Sequence, residues 1–438
     1  MNVLNRIRIE LLLYPAPLAR TAAALRSNRL NIHAYIDELC NRIAAVEPDI
    51  QALLPEPGRR ERLHSEVENL RTHFSQEESR PPLYGIPVGV KDIFRVDGFP
   101  TRAGSELPKE EFAGPEAACV TALRNAGALM LGKTVSTEFA YFEPGPTRNP
   151  HNLKHTPGGS SSGSAAAVGA GLCPLALGTQ TIGSIIRPAA FCGVVGFKPS
   201  YGRIPTSGVI PYAVSLDTVG YFTQDIAGIA LVAPVLCQRW QPVPVQPVPI
   251  LGVPDGPYIA QASAEALAAF EQHLILLAQA GYTVRRVKAM ANIEAINQKH
   301  VRLGFAELAH VHASWFTHYA HLYRPRTAQA IREGQHVPVV EVEEARAGQQ
   351  ILRDELALLM ANNGIDILVS PSAPGPAPEG ITSTGSALMN LPWTYAGLPV
   401  VSLPAGKTAH GLPLGLQCIG AFMADERLVE WVRPMASI

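Results

Sequence analysis

Three short segments carry residue types that could together form a nucleophile and its base. In the first, Lys91 follows a short apolar run at residues 86–90, which is typical of a buried strand. Burial favours the neutral form of a lysine, and a neutral amine is a base. An ion pair with a carboxylate, such as that of the adjacent Asp92, is the competing interpretation. On this segment alone, the ion pair is the commoner arrangement.

The second segment, GGSSSGS at residues 158–164, has three interpretations. A phosphate-binding loop fails, because no Gly-Lys-Ser/Thr sequence follows. A nucleophile elbow of the form G-x-S-x-G would use Ser161, but that motif follows a strand, and the preceding PHNLKHTP is polar and typical of a turn. A catalytic site built from serines and a lysine needs a lysine upstream and a second serine downstream, and the chain has both.

The second serine is Ser184, in the segment GTQTIGSIIRP. Gly178 and Gly183 bracket a predicted turn in which successive backbone N–H groups can point the same way and bind an oxyanion. The expected donors are the N–H groups of Thr181, Ile182, Gly183 and Ser184. A serine among glycines is more often an ordinary turn residue, so this segment does not identify a nucleophile by itself.

The surrounding elements predict an α/β layer structure. Residues 1–80 have helical periodicity, with a stop near Pro48. From residue 81 onward, short apolar runs alternate with helical patterns, as in EAACVTALRNAGALMLGKTV, which predicts a helix, a stop at Gly127 and a strand. Towards the end of the chain, LPVVSLPAG and LPLGLQCIG are expected to pair as the last two strands.

The region around the two serines is crowded with Gly, Ser and Ala, from residue 156 to residue 215. This composition also occurs in flexible linkers. Its interleaved stretches AAAVGAGLCPLALG and AAFCGVVGF are apolar and require burial. We therefore expect close backbone packing, or a backbone shaped to meet a ligand, rather than a linker.

The composition limits the partners and the location of the protein. The chain has 438 residues, of which 47% are hydrophobic and 17% charged, which is a globular profile. Its formal net charge of -1 provides no basic field for nucleic acid, so a small substrate fits better than a polyanion. The apolar stretch at residues 11–13 is too short for a signal peptide or a membrane span, so a cytoplasmic location is expected.

The remaining polar residues predict no metal or redox site. The six cysteines are far apart and include no C-x-x-C pair, so buried, reduced thiols are expected. The histidines between residues 310 and 321 lack metal-binding spacing. Lys198 and Asp217 are predicted to be structural, the latter by capping or fixing a loop.

The catalytic segments resemble the amidase signature family, as do residues 81–215 generally and the tail from LPWTYAGLP to LQCIG. The matching segments are GIPVGVKD around Lys91, TPGGSSSGSAAAVGAG around Ser160, and GTQTIGSIIRPAAFCGVVGFKPSYGRIP around Ser184. Ser160 lies 24 residues before Ser184 (184 − 160), which is the family's spacing. The resemblance implies that Lys91 is the base, that Ser160 bridges protons on a cis peptide bond, and that Ser184 is the nucleophile.

The resemblance also implies the architecture. It predicts a single compact α/β domain with a large mixed, twisted β-sheet covered by helices. N-terminal helices would occupy residues 1–80 and the signature core residues 81–235. A helical insertion, a substrate loop and the last strands would occupy residues 250–438. Neither a metal nor another cofactor is implied.

The implied activity is hydrolysis of the carbon–nitrogen bond of an amide or a carbamate (urethane) through an acyl-enzyme. Esters would be cleaved as a side activity, because the same acyl-enzyme serves both. Aromatic residues at positions that contact substrate in the family suggest a small, apolar or aryl-bearing substrate. The residues that the resemblance places against substrate are Gly158, Gly159, Tyr141, Phe142 and Trp393.

Several residues depart from the family pattern. Gln180 replaces a common Asp, and Ile182 and Ser162 each replace a common Gly. The arginine that often lies two residues after the nucleophile is replaced by Ile186, and Arg187 follows it. We expect the triad to be intact, the oxyanion turn to be bulkier, and Arg187 to be a structural anchor rather than a substrate contact.

Three alternative functions are weighed against this prediction. The first is a glutaminase-type subunit of a tRNA-dependent amidotransferase, which would work with partner chains. The second is an inactive scaffold, which the intact Lys91, Ser160 and Ser184 argue against. The third is an α/β-hydrolase with Ser161 as nucleophile. The leading hypothesis requires a small-molecule substrate, with no nucleic acid and no membrane span, and leaves open whether the chain is a monomer or a homodimer.

Overall fold

In the computed structural model, which describes residues 12–438, ten strands form one mixed β-sheet. Their order across the sheet is β2-β1-β3-β5-β4-β9-β10-β8-β6-β7. The first three and the last three strands in this order pair in parallel, and the pairings between them are antiparallel. Strands β1 to β10 span, in chain order, Pro87–Lys91, Leu129–Thr134, Leu175–Gln180, Val195–Lys198, Thr218–Thr223, Leu251–Asp255, Val284–Lys288, Ile367–Pro371, Val400–Lys407 and Pro413–Ile419.

The predicted α/β class with a large mixed sheet is confirmed, and strands from residues 81–235 and from residues 250–438 join the same sheet. The paired final strands predicted from LPVVSLPAG and LPLGLQCIG are also present.

The α-helices, α1 to α14 in chain order, span Leu18–Arg26, Ile32–Ile50, Arg59–His73, Ala118–Asn125, Ser162–Gly169, Ile186–Cys192, Ile226–Leu236, Ala264–Gln279, Ile293–Val311, Ala313–Tyr319, Pro325–Gly334, Val339–Asn362, Leu391–Tyr395 and Asp425–Met435.

The helical N-terminal region begins, in the described part, with α1 to α3. Helix α2 contains Pro48 and continues to Ile50, two residues beyond the predicted stop. A proline in the last turn removes only one hydrogen bond, so the helix continues past it. Residues 1–11, including the start of the apolar stretch at 11–13, lie outside the described residues.

No helix within residues 12–438 is long and apolar enough to cross a membrane. In the same part of the chain, no group of three or more His, Cys, Asp or Glu residues is placed to hold a metal ion. All six cysteines are free and buried, as predicted.

The parallel pairing of β1 with β2 and β3 positions the candidate site. Every residue of these three strands is buried, which is typical of a parallel sheet covered on both faces. Because parallel strands run in the same direction, Lys91 at the end of β1 lies at the same sheet edge as Gln180 at the end of β3. The turn that carries Ser184 starts from this edge.

The Gly-, Ser- and Ala-rich segment after Ser160 forms the buried helix α5, which confirms the predicted close packing. The N–H of Gly163 donates to the Val135 carbonyl at 2.9 Å. A Cβ atom at Gly163 would overlap the carbonyl oxygen of Ala52 and the backbone of Val135. Only a glycine therefore allows α5 to start this close to the chain that follows β2.

Gly163→Ala is expected to lower the free energy of unfolding by about 2 kcal/mol or more, because the added methyl meets backbone atoms that cannot rotate away. Urea denaturation measures this change. Gly304→Ala in α9 is the matched control, since its Cβ would meet no heavy atom closer than 3.4 Å. That helical substitution is expected to be neutral or to stabilise by up to about 1 kcal/mol. Equal stabilities of the two variants would contradict the packing argument.

Candidate active site

Lys91 is fully buried and contacts two hydroxyl groups. Its Nζ lies 2.7 Å from Ser160 Oγ and 2.8 Å from Thr179 Oγ1. The competing ion pair with Asp92 does not form, because that carboxylate pairs with Nζ of Lys133 at 2.9 Å. The structure therefore brings together the predicted base and the predicted bridging serine.

Burial lowers the pKa of Lys91 from its ordinary value to about 7, since a charged ammonium is poorly solvated in this environment. The negative charge of Asp217 acts in the opposite direction and is the smaller effect. A large fraction of Lys91 is therefore neutral near neutral pH. A neutral amine that touches a serine hydroxyl can accept its proton.

Ser160 is buried and follows a Gly159–Ser160 peptide bond that is cis, as the resemblance implied. Two glycines let the preceding loop pass between neighbouring segments. A Cβ atom at Gly158 would lie 2.8 Å from Cα of Pro188, and one at Gly159 would lie 2.7 Å from Cγ2 of Thr384. The structure thus gives both glycines a packing role next to Ser160, and their contact with substrate stays a prediction.

Ser161, the alternative nucleophile, is fully buried and engaged with strand β3. Its Oγ donates to the Thr179 carbonyl at 3.2 Å and lies 3.3 Å from the Thr179 amide nitrogen, which donates to it. No strand leads into this residue. The side chain joins the start of α5 to β3 and does not occupy the exposed strand-to-helix turn that an elbow requires.

Ser184 lies in the turn between β3 and α6 and is 6% exposed. Three residues later, the guanidinium of Arg187 donates to the Gly159 carbonyl at 2.5 Å and to the Gly385 carbonyl at 2.6 Å. These bonds hold the helix that follows Ser184 against the loop that carries Ser160. The bonds agree with the predicted anchoring role of Arg187, and the absence of a contact with substrate stays a prediction.

Gln180 fixes the shape of the Ser184 turn. Its Oε1 accepts from the N–H groups of Ile185 and Ile186, at 2.8 and 3.0 Å. Its Nε2 donates to Thr394 Oγ1 at 2.9 Å, and that hydroxyl donates to the Ile182 carbonyl at 2.7 Å. A carboxylate at this position could accept hydrogen bonds but could not donate to Thr394, so the amide group supplies the donor of this link.

The turn leaves four backbone donors available. Among the hydrogen bonds formed by residues 12–438, none is donated by the N–H of Thr181, Ile182, Gly183 or Ser184. A Cβ atom at Gly183 would overlap Oδ1 of Asn390, so the position needs a glycine. Consecutive unpaired N–H groups at Ser184 match the arrangement expected of an oxyanion hole, which stays a predicted role for these residues.

Tyr141 and Phe142 form a half-buried aromatic cluster beside the site. Their ring centroids are 5.1 Å apart, and the Tyr141 ring also contacts Tyr212 at 5.7 Å and Phe305 at 5.9 Å. The guanidinium carbon of Arg187 lies 5.6 Å from the Phe142 ring centroid. Since Arg187 also holds the Ser160 loop, Phe142 lies near both serine segments.

Trp393 lies in the interior rather than on an accessible surface. It has no exposed surface, its Nε1 donates to Tyr258 Oη at 2.8 Å, and the two rings pack edge to face with centroids 5.1 Å apart. These contacts give Trp393 a structural role, and its contact with substrate stays a prediction.

Sequence reasoning missed Thr179 and understated Asp217. The signal for Thr179 was the alternation of side chains along β3, but its pairing with Lys91 depends on how distant strands associate. Asp217 fixes a loop, as predicted, by accepting from the N–H groups of Tyr212 at 2.8 Å and Ala213 at 3.1 Å. It also contacts the Ser184 turn, because Thr181 Oγ1 donates to it at 2.5 Å.

The comparisons with known proteins agree with this geometry. Residues 34–429 match the family model described as Amidase. The chain is 31% identical to a subunit of the glutamyl-tRNA(Gln) amidotransferase of Synechococcus sp. (strain RCC307), over 94% of this chain and 95% of the relative.

Two solved structures are similar over almost the whole chain. A crystal structure of an amidase gives a TM-score of 0.87 with 31% identity and covers 96% of this chain and 99% of its own. The peptide amidase from Stenotrophomonas maltophilia gives a TM-score of 0.79 with 26% identity, over 95% of this chain and 96% of that chain.

Gln180→Ala is expected to lower the free energy of unfolding by about 2 to 4 kcal/mol, because two buried N–H groups lose their acceptor. We also expect turnover to fall by about tenfold or more, since those N–H groups follow Ser184 directly. Denaturation and steady-state kinetics measure the two effects. The control is Gln224→Ala, because that side chain likewise bridges backbone groups of Ala16, Tyr14 and Val168. Equal turnover in the two variants would contradict a role for Gln180 in the turn.

Proposed function

This chain belongs to the amidase family, and from that premise we propose that it hydrolyses the carbon–nitrogen bond of a small amide or carbamate through an acyl-enzyme on Ser184. The observation that carries the proposal is the 2.7 Å contact between Nζ of Lys91 and Oγ of Ser160 inside the protein. A buried lysine with hydroxyl partners and no directly bonded carboxylate is suited to accept a proton.

The proposed reaction is a proton relay with two transfers between three side chains. Neutral Lys91 accepts the proton of Ser160, and Ser160 accepts the proton of Ser184 as the Ser184 oxygen attacks the substrate carbonyl. The free N–H groups of residues 181–184 stabilise the negative oxygen of the tetrahedral intermediate. When the intermediate collapses, the proton returns through Ser160 to the leaving nitrogen. Water then attacks the acyl-enzyme and gives its proton to the same relay. The acid is released and Ser184 regains its proton.

The aromatic cluster supports a substrate with an apolar or aryl group. Tyr141 and Phe142 are only half-buried, and Phe142 lies beside the arginine that joins the two serine segments. Partly exposed aromatic rings bind apolar and aryl groups well. Ester cleavage is expected as a side activity, because an ester forms the same acyl-enzyme with a better leaving group.

A second candidate is the glutaminase role in a tRNA-dependent amidotransferase, which is favoured by the similarity to one chain of such an enzyme. Free glutamine carries an ammonium and a carboxylate that its binding site must pair. The heavy atoms nearest to a Cβ placed at Gly183 belong to Ala387 and Asn390, and neither side chain is charged. The hydrolysis screen decides between the two candidates.

A hydrolysis screen of the purified chain tests the proposal and separates the two candidates. The substrates are aryl amides, aliphatic amides, carbamates, esters and glutamine. We expect turnover of an aryl amide or carbamate and of the matching ester by the isolated chain. Activity on glutamine alone, or activity only with added partner chains and aminoacylated tRNA, would favour the amidotransferase role.

Ser184→Ala and Lys91→Met are each expected to lower kcat/KM by about 10³-fold or more, because each removes a member of the proton path. Lys198→Met is the matched control. Lys198 is also fully buried and also has its pKa lowered by burial to about 7, but its Nζ donates to the carbonyls of Pro199 and Leu398. Near-normal activity of Lys91→Met, or equal losses in the two lysine variants, would contradict the mechanism.

The rate is expected to rise with pH through about 7, because only the neutral form of Lys91 accepts a proton and burial places its pKa there. At two pH units below this pKa, about 1% of Lys91 is neutral, so kcat/KM should be about 100-fold below its plateau. An aryl ester or amide without ionisable groups is the substrate for this profile. A flat profile between pH 5 and 8 would contradict the assignment of Lys91 as the base.

A further inference from the structure

Two threonines place Lys91 and Asp217 against the same stretch of chain. Thr179 lies in β3, and Thr181 is the first residue after that strand. Thr179 Oγ1 accepts from Lys91 Nζ at 2.8 Å, and Thr181 Oγ1 donates to Asp217 Oδ1 at 2.5 Å. Thr179 and Asp217 also line one cavity, so the carboxylate lies near the partner of Lys91 and directly contacts the start of the Ser184 turn.

The carboxylate of Asp217 is held in a fixed position. Its Oδ2 accepts from the N–H groups of Tyr212 and Ala213, and its own N–H donates to the Ala213 carbonyl at 2.8 Å. A cavity of about 390 Å³ is lined in part by Thr179, Tyr212 and Asp217. A carboxylate with three donors and an adjoining cavity stays ionised more readily than one in a closed apolar core.

We propose that Asp217 is a positioning residue for hydrolysis, which supplies the negative charge next to Lys91 and holds Thr181 so that the N–H groups of the Ser184 turn face the oxyanion. This role rests on the proposed function, because it acts through the proposed base and the proposed oxyanion hole. It goes beyond fixing the loop at residues 212–217, since loop fixing alone requires neither the contact with Thr181 nor the charge near Lys91.

The other carboxylates near Lys91 and Asp217 are paired with cations, so Asp217 is the carboxylate whose charge acts on Lys91. The carboxylate of Asp92, the residue after Lys91, forms an ion pair with Lys133. Glu307 accepts from the N–H of Ser215 in the Asp217 loop, but it is paired with Arg346 at 2.7 Å. Burial raises the pKa of Tyr201 and Tyr212, and the negative charge of Asp217 adds a smaller contribution in the same direction to both.

The directions of the titrations follow from these contacts. The charge of Asp217 raises the pKa of Lys91 against the larger effect of burial. Burial raises the pKa of Asp217 to about 6, while its hydrogen bonds and Lys91 act to lower it. Asp217 has the lower pKa of the two, so it is mostly ionised at the pH where half of Lys91 has lost its proton. Without the carboxylate, Lys91 would be a weaker base that becomes neutral at a lower pH.

Asp217→Asn tests the electrostatic part of the proposal. It is expected to move the midpoint of the acid limb of kcat/KM to lower pH by about one unit. The plateau of kcat should fall about threefold to tenfold, because a weaker base accepts the proton less well. Wild type and variant are compared on the same uncharged ester, after circular dichroism has shown equal folding. A midpoint that does not move in the folded variant would overturn the electrostatic role.

Thr181→Val tests the positioning part, because it removes the hydroxyl and leaves the carboxylate charge. We expect kcat to fall about tenfold with the midpoint of the acid limb unchanged. Thr181→Ser, which keeps a hydroxyl, should recover most of the lost rate. Equal rates for the valine and serine variants would overturn the role of Thr181. This pair also tests the proposal if Asp217→Asn fails to fold.

Lys91→Met distinguishes a failure of this proposal from a failure of the proposed function. If Lys91→Met retains activity with the same acid limb, Lys91 is not the base and the proposed function fails. If Lys91→Met abolishes activity and Asp217→Asn leaves the midpoint in place, the proposed function stands and only the role of Asp217 is overturned.

Discussion

The site depends on one constraint, which is that a lysine is buried against two hydroxyl groups instead of a carboxylate. Burial of an ammonium is unfavourable, and the neutral amine is the form that such surroundings accommodate. Nζ of Lys91 contacts the oxygens of Ser160 and Thr179, while the neighbouring Asp92 is occupied by Lys133. The parallel pairing of β1 with β3 makes these contacts possible, because it places the ends of both strands at one sheet edge.

The end of β3 divides two tasks between alternating side chains. Thr179, in the strand, contacts Lys91, and Thr181, just after it, contacts Asp217. Gln180, between them, bonds the amides of the two residues that follow Ser184 and links the turn to α13. The N–H groups of the turn itself then remain unpaired. A six-residue strand and the turn after it thus contact the proposed base and carry the proposed nucleophile and oxyanion donors.

The features that the sequence predicted are local, and those that it missed join distant segments. The motif around Ser160, the turn at Ser184 and the buried strand before Lys91 are local patterns. The partner of Asp92 is Lys133, on the neighbouring strand β2, and adjacency in the chain gave no indication of it. Likewise, an aromatic residue in a predicted substrate loop indicates contact with substrate or packing equally well, and Trp393 lies in helix α13 and packs on Tyr258. Strand association and burial decide such pairings, and a single sequence records neither directly.

The central claim is that Ser184 is a nucleophile activated by Lys91 through Ser160. A serine-directed fluorophosphonate reports it most directly, with the modified residue and the labelling rate read by peptide mass spectrometry at several pH values. The account predicts one adduct, on Ser184, formed faster as the pH rises through about 7 and strongly slowed in Ser160→Ala. An adduct on Ser161, or labelling of Ser184 that proceeds equally fast in Ser160→Ala, would contradict it.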